Sequence, residues 1–307
     1  MKRHQGGVAL VLVLWVITLL SVIAGNFAYS MRSEAQIAHN LLAAAQAKSL
    51  ADAGVQRAWF ELLKPATEPQ RWLGNGVTHE VVLHGAQLRI TLLDESGKID
   101  LNSAPDALLK GLFASAGLTH EASATLLDQV LDWRDADTLV RPNGAEAGEY
   151  RAAGKNYTPS NAPFETIDEL QRVLGMSADL YRKLAPALTV HSRQPGVNTA
   201  VAPYAVLQAL PGVSPVMAAQ YVRQRQDALM NGQVPPPLAA AGAFTSNAVG
   251  SVVSARSEAR LPDGTAFIRY AVARINPGST RPVLVLVWDE GNVEPAPEPL
   301  ADTMAKN

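Results

Sequence analysis

An apolar run near the start of the chain reads Gly6-Gly7-Val8-Ala9-Leu10-Val11-Leu12-Val13-Leu14-Trp15-Val16-Ile17 and continues to Ala28 without a charged residue. A basic head, Lys2-Arg3-His4, precedes it. At about 1.5 Å per helical residue, residues 8–28 are roughly as long as the hydrocarbon core of a bilayer is thick. The sequence therefore predicts a single membrane span, with the basic N-terminus in the cytoplasm and everything after about Tyr29 outside.

The residues after the span keep a helical pattern. Apolar side chains recur at three- and four-residue spacing from Leu41 to Leu63, and no proline interrupts before Pro65. A cleaved secretory signal would have a short apolar core followed by a cleavage site, and Ala24-Gly25 offers only a poor one. The pattern predicts one continuous helix of about 55 residues, apolar in its first half and amphipathic in its second.

These residues resemble the type IV pilin family, whose members carry a short basic leader ending in glycine. The resemblance implies a leader over residues 1–7, cut by a prepilin peptidase between Gly7 and Val8, and methylation of the new N-terminus. Most pilins have a glutamate where this chain has Leu12, and a carboxylate in a membrane is retained only where it has a partner. In pilins that partner is the N-terminal amine of a neighbouring subunit, so Leu12 suits the end of a filament. The apolar face with Trp15 is expected to carry both membrane retention and assembly.

Strand patterns follow the helix, and a long helical segment interrupts them. Residues 77–84 and 87–92 read as two strands joined at Gly85-Ala86, and strand signals return at 249–255, 266–272 and 282–288. We predict an α+β, pilin-like fold, in which the long N-terminal helix packs on an antiparallel sheet and a large all-helical domain is inserted in the sheet region. The predicted divisions are the leader 1–7, the transmembrane half of the helix 8–28, the first part of the pilin domain 29–96, the insertion 97–237, the second part of the pilin domain 238–291 and a disordered tail 292–307.

The insertion contains a weak internal repeat: residues 100–105 lead into an apolar run at Leu108-Leu109, and residues 197–200 lead into one that starts at Val206. Part of the second copy resembles the helix-hairpin-helix unit. The segment Leu210-Pro211-Gly212-Val213-Ser214 carries this resemblance, which implies a DNA-binding or DNA-uptake protein as an alternative function. Phosphate binding at such a hairpin needs free N–H groups and nearby basic side chains. Pro215 removes one donor, and Arg223 and Arg225 come two turns later. We therefore expect a scaffold role for the hairpin and no nucleic-acid partner.

The missing glutamate, the leader and the insertion together resemble the pseudopilin K family of type II secretion. The resemblance implies a minor pseudopilin that caps and nucleates the tip of the periplasmic pseudopilus driving exoprotein export. It also implies location in the inner membrane, with partners that include the I, J and H pseudopilins, the prepilin peptidase and the inner-membrane assembly platform. The alternatives are a minor pilin of a type IV pilus and a membrane-anchored adhesin. The segments that carry the resemblance are residues 97–102, 132–137, 143–146 with Tyr150, 164–170 and 197–200.

One group of acidic residues could bind a metal ion. Hard cations such as calcium take six to eight oxygen ligands from a bendable loop, and Pro142-Asn143-Gly144 makes such a loop here. The competing interpretation is a solvated acidic loop paired with Arg134, Arg141 and Arg151. Pseudopilins of this class use calcium, and the resemblance favours a structural calcium site. Its predicted ligands are Asp132, Asp135, Asp137, Glu146 and Glu149.

Composition indicates a structural subunit and not an enzyme. The 307 residues include no cysteine, so disulfides and thiolate metal sites are excluded, and the formal net charge is only -2. The six histidines are scattered without the helical spacing of a zinc site. The sequence has neither a glycine-rich nucleotide loop nor a G-x-S-x-G nucleophile turn.

Overall fold

The computed structural model describes residues 7–65, 67–68, 70–248 and 250–291. Most of the predicted leader and the whole predicted tail, 292–307, lie outside these residues. The predicted long helix is confirmed as α1, which runs without interruption over Gly7–Leu63, 57 residues. Every residue from Ala9 to Leu42 is exposed, and Ala43 is the first buried position. The first half of α1 therefore projects from the rest of the molecule.

The second half of α1 packs on a sheet. Its buried residues recur at three- and four-residue spacing and include many alanines, so the helix backbone comes close to the strands. Gly54 marks the closest approach, since a Cβ there would overlap the side-chain oxygen of Ser257. The Trp59 and Trp288 rings lie 5.6 Å apart at the flank of the helix. The helix residues in this core are Ala43, Ala47, Leu50, Ala51, Val55, Ala58, Trp59 and Leu62.

Five antiparallel strands form the sheet in the order β1-β2-β5-β6-β7, and two further strands lie elsewhere. Leu83 pairs with Ala86, so the β1–β2 turn is His84-Gly85 and not the predicted Gly85-Ala86. Both turn residues have positive φ, 49° and 80°, as a tight two-residue hairpin requires. The strands are β1 (Asn75–Leu83), β2 (Ala86–Asp94), β3 (Ile99–Asp100), β4 (Leu188–Thr189), β5 (Val252–Arg260), β6 (Ala266–Ile275) and β7 (Val283–Glu290).

The insertion lies between β2 and β5 and has its own apolar core around Phe113, Trp133 and Leu188. Besides helices it contains the short parallel pair β3–β4, which the apolar pattern did not predict. Its helices are α2 (Asp106–Ser115), α3 (His120–Arg134), α4 (Ala147–Ala152), α5 (Ala178–Leu184), α6 (Tyr204–Ala209) and α7 (Pro215–Met230). Short 3-10 turns cover Glu95–Gly97, Ile167–Arg172, Ala185–Ala187 and Ala239–Phe244.

The two parts of the predicted repeat meet inside this core. Helices α2 and α6 pack together, and a Cβ on Gly111 would overlap the Ala209 carbonyl. Each helix is followed by a turn with a glycine at positive φ, Gly117 (99°) and Gly212 (84°). Thr119 and Ser214 then cap α3 and α7 by accepting backbone N–H bonds. The repeat thus corresponds to two helix-turn-helix pairs.

The two ends of the insertion are bonded to each other where they leave the sheet. Asp94 accepts the Ser96 N–H through Oδ1 (2.8 Å) and the Gly250 N–H through Oδ2 (3.0 Å). The Asn198 N–H donates to the Ser96 carbonyl at 2.8 Å. The Asp94 carboxylate therefore links the two segments of chain through which the insertion leaves the sheet and returns to it.

Candidate functional site

The exposed half of α1 is an apolar rod without a charged side chain from Ala9 to Ala28. Leu12 is 62% exposed and Trp15 is 72% exposed. The Thr18 hydroxyl donates to the carbonyl of Leu14 at 3.0 Å, so its donor is satisfied within the helix. Among the described residues α1 is the one helix long and apolar enough to cross a membrane. Such a surface needs lipid or other apolar helices around it.

Gly7, the first described residue, is also the first residue of α1. The predicted cut between Gly7 and Val8 therefore falls at the first described residues of α1. Residues 1–6 of the predicted leader are outside the described part of the chain.

The predicted acidic site lies at the end of α3, where Arg141 occupies its centre. Asp132 is fully buried and its Oδ2 accepts the backbone N–H of Arg141 at 3.2 Å. The Arg141 side chain lies 3.2 Å from Asp132 Oδ1 and 3.3 Å from Asp135 Oδ2. Gly144 packs so closely on Asp132 that a Cβ would overlap its carboxylate. The loop is thus built around the Asp132 carboxylate.

The other predicted ligands have local backbone partners. Asp137 Oδ1 accepts the Leu139 N–H at 2.8 Å, and Glu149 Oε2 accepts the Glu146 N–H at 2.9 Å at the start of α4. In the described part of the chain, no three acidic or histidine side chains converge as a ready metal site. The structure places Asp132 at the end of α3, Glu149 in α4 and the other three carboxylates in the loop between them, without bringing the five onto one point.

The chemistry of the loop nevertheless fits a hard cation. Asp135 Oδ1 and Glu146 Oε1 are buried oxygens without a hydrogen-bond partner, and Asp132 Oδ1 has only its ionic contact with Arg141. Burial raises the pKa of Asp132, and the neighbouring Asp135 raises it further. Burial likewise raises the pKa of Glu146, and the four other predicted ligands add to the rise. The loop therefore carries more negative charge than Arg141 alone compensates.

Comparison with known proteins finds several relatives of one name. A family model described as type II secretion system (T2SS), protein K matches residues 88–193. Type II secretion system protein K of Pseudomonas aeruginosa is 28% identical over 246 residues, which are 73% of this chain and 74% of that protein. The Klebsiella pneumoniae protein of the same name is 28% identical over 222 residues, 65% of this chain and 68% of that protein. This chain is similar to protein K of the type II secretion system over most of its length.

The matched family model and relatives are named as components of a secretion system. Among solved structures, the crystal structure of the GspK-GspI-GspJ complex from enterotoxigenic Escherichia coli matches with a TM-score of 0.56. The match has 19% sequence identity and covers 85% of this chain and 99% of the other. The likeness confirms the predicted pilin-like fold with its insertion.

The sequence predicts Arg134, Arg141 and Arg151 together as partners of the acidic loop. Only Arg141 takes that place among the contacts of the described residues, since Arg134 donates to the Leu101 carbonyl and Arg151 to the Ala147 carbonyl. Gly144 was read as a turn residue, and its close packing on Asp132 was not predicted.

Proposed function

We propose that this minor pseudopilin caps the tip of a periplasmic pseudopilus and nucleates its assembly. The observation that carries the proposal is the exposed apolar half of α1 with Leu12 in place of an acidic side chain. An apolar rod of this kind is solvated by lipid before assembly and by neighbouring helices in a filament. Without a carboxylate at position 12 the subunit offers no charge for the N-terminal amine of a subunit above it, and growth ends there.

The same geometry supports the expected topology. Prepilin peptidase removes residues 1–7 on the cytoplasmic side of the inner membrane, and the head stays in the periplasm. The assembly platform then moves the helix from lipid into the helical bundle of the filament. Minor pseudopilins of the I, J and H types are the proposed neighbours, and the GspK-GspI-GspJ assembly named for the matched structure supports the first two.

Deletion of the insertion tests the capping role. The full chain is expressed in a secreting strain that lacks its own copy, with residues 97–248 replaced by a short loop. We expect impaired exoprotein release and altered pseudopilus length, because the insertion obstructs stacking on its side. Leu12→Glu is expected to be tolerated or mildly harmful, with Leu12→Ala as its control. Unchanged secretion and filament length after the deletion would remove the basis for capping.

N-terminal sequencing tests whether the mature protein keeps the apolar first half of α1, which we call the stem. The mature protein is expected to begin at Val8 with a methylated amine. A mature protein that begins near Asn26 would have no stem and would contradict a role inside a filament.

The family matches are to secretion proteins, which favours the pseudopilus over a true type IV pilus. The DNA-binding alternative has less support. Arg225 Nη1 donates to the carbonyls of Thr199 (2.9 Å) and Ala202 (2.7 Å), so this guanidinium is committed inside the insertion. Proline occupies the first position of α7.

We further propose that the acidic loop binds a structural calcium ion. Asp132, Asp135, Asp137 and Glu146 would hold it, together with Glu149 if its cap opens. The unpartnered oxygens of Asp135 and Glu146 and the raised pKa values of Asp132 and Glu146 support this site. A bound cation would supply the positive charge that the loop lacks.

Glu146→Gln tests the calcium site without removing a bulky side chain. Wild-type protein should lose thermal stability in chelator, and the variant should melt higher than wild type in chelator and respond little to calcium. Because the pKa of Glu146 is raised by folding, its charge costs stability as pH rises through the folded pKa, so the variant's advantage should shrink on acidification. Glu121→Gln, on α3, is the control. Equal melting of wild type with calcium and with chelator would refute the site.

A further inference from the structure

The two edges of the sheet differ in chemistry. On the β1 edge, Glu80 lies 3.7 Å from Arg89 on β2. The register shifts at both edges, between Asn75 and Thr78 on β1 and opposite Val272 and Ala273 on β7, so charge is what separates the two edges. Charges and irregular pairing are the usual features that keep a sheet edge from pairing with other chains. The β7 edge reads Val283-Leu284-Val285-Leu286-Val287 and carries no charge over this length.

The β7 edge is open among the described residues. β6 is the one described strand hydrogen-bonded to β7, which ends the strand order. Leu284 and Val285 are 47% and 45% exposed. In an antiparallel ladder, alternate residues of an edge strand direct their N–H and C=O groups away from the sheet. Another extended backbone can pair with all of these N–H and C=O groups at once.

We propose that β7 accepts a strand from the head of a neighbouring pseudopilin, which extends the sheet by one strand. The inference rests on the proposed filament function and deepens it by naming the contact between heads. Charge at the two ends of β7 sets the chemistry of the added strand. Arg281 lies before the strand and Asp289 and Glu290 end it, and all three are exposed. The incoming strand is apolar in its middle, acidic near Arg281 and basic near Asp289.

The position of β7 beside the stem indicates that the partner is a second pilin-like subunit. Lys48 Nζ on α1 lies 3.3 Å from Glu290 Oε1 at the end of β7. Leu41 is two helical turns before Lys48, on the same face of α1, and is exposed. A strip therefore runs from the stem at Leu41 to the β7 edge. A subunit with its own stem and sheet in this arrangement contacts both ends of the strip at once.

Photo-crosslinking in the membrane tests the proposal with the full chain. A photoreactive phenylalanine analogue replaces Leu284 on β7, or Val82 on the β1 edge, which is 74% exposed and serves as the matched control. A third probe replaces Leu41 on the stem. With the other minor pseudopilins co-expressed, the Leu284 probe should form an adduct with one of them and the Val82 probe should not. Val285→Lys should lower the Leu284 adduct roughly tenfold, while Val82→Lys leaves it unchanged.

Each other outcome overturns the inference. An adduct from Leu284 to residues 292–307 of the same chain assigns the edge to the chain's own C-terminus. An adduct to a second copy of the chain assigns it to a homodimer. Equal adducts from Leu284 and Val82 show unspecific contact. If the Leu41 probe still captures a pseudopilin in these cases, the filament function stands, and if it captures none, that function fails as well.

Discussion

Lys98→Met tests how firmly the insertion is held on the sheet. Lys98 Nζ lies 2.7 Å from Glu95 Oε1, and both side chains are almost fully buried. Thr189 of the insertion and Ser254 and Tyr270 of the sheet also contact the pair. Burial alone would raise the pKa of Glu95, yet Lys98 holds it below its usual value. The pair is therefore an ionised contact at the boundary between insertion and sheet.

Removing one partner of a buried pair leaves an uncompensated charge and costs about 3 to 5 kcal/mol of unfolding free energy. Lys98→Met should lose this amount near neutral pH. The double variant with Glu95→Leu should recover most of it, because no charge remains buried. Lys48→Met breaks the exposed pair with Glu290 and should cost about 0 to 1 kcal/mol.

The pH dependence of the variants checks the same reasoning. In wild type the pKa of Glu95 is lowered, so its contribution is present above the carboxyl's ordinary value near 4 and is lost as pH falls through the folded value. In Lys98→Met the burial of Glu95 is unopposed and its pKa rises. The single variant should therefore gain stability, relative to wild type, as pH falls below neutral.

The assay is denaturant unfolding of the detergent-solubilised full chain, followed by tryptophan fluorescence. Unfolding free energies are compared for wild type, the two single variants and the double variant. A loss below about 1 kcal/mol in Lys98→Met, or a double variant no more stable than the single one, would refute the buried-charge account.

Two other changes should destabilise the protein for different physical reasons. Gly54→Val should cost about 1 to 3 kcal/mol of unfolding free energy, because the new side chain overlaps Ser257. Gly148→Ala is the control and should cost nothing, because a Cβ there meets no other atom. Equal effects of the two changes on thermal or denaturant unfolding would contradict the packing account. Asn102→Leu should cost roughly 2 to 4 kcal/mol, because Asn102 bonds both the N–H (2.8 Å) and the C=O (2.9 Å) of Phe164, and a Leu variant as stable as wild type would show that water replaces both bonds.

Local pattern was enough to predict the stem and the sheet. The run without charges up to Ala28 reflects an environment of lipid along its whole length. The alternation of Leu88, Ile90 and Leu92 reflects a strand with one buried face and one exposed face. The β3–β4 pair was not predictable in the same way. Its two-residue strands pair Ile99 with Leu188 across most of the insertion, and two residues are too few to show a period.

The acidic loop shows a different limit. Spacing in the sequence grouped five carboxylates that the structure distributes over the end of α3, the loop after it and α4. It could not indicate that the Arg141 guanidinium lies between Asp132 and Asp135, because an arginine six residues after Asp135 can turn inward or outward with equal ease. Nor could it show that Glu149 caps α4. The orientation of these two side chains depends on which groups are buried around them in the folded protein, and the sequence pattern does not show this.

The hydrogen bond from Gly250 to Asp94 has a consequence for how such subunits diversify. Because neighbouring residues of the sheet meet there, a whole module can be enlarged, exchanged or lost between β2 and β5 while the strands on either side keep their register. The surface that the insertion presents can therefore vary while the apolar half of α1, which enters the filament, stays the same. We expect that a reporter domain grafted between Asp94 and Gly250 would be carried by the subunit while the sheet keeps its fold.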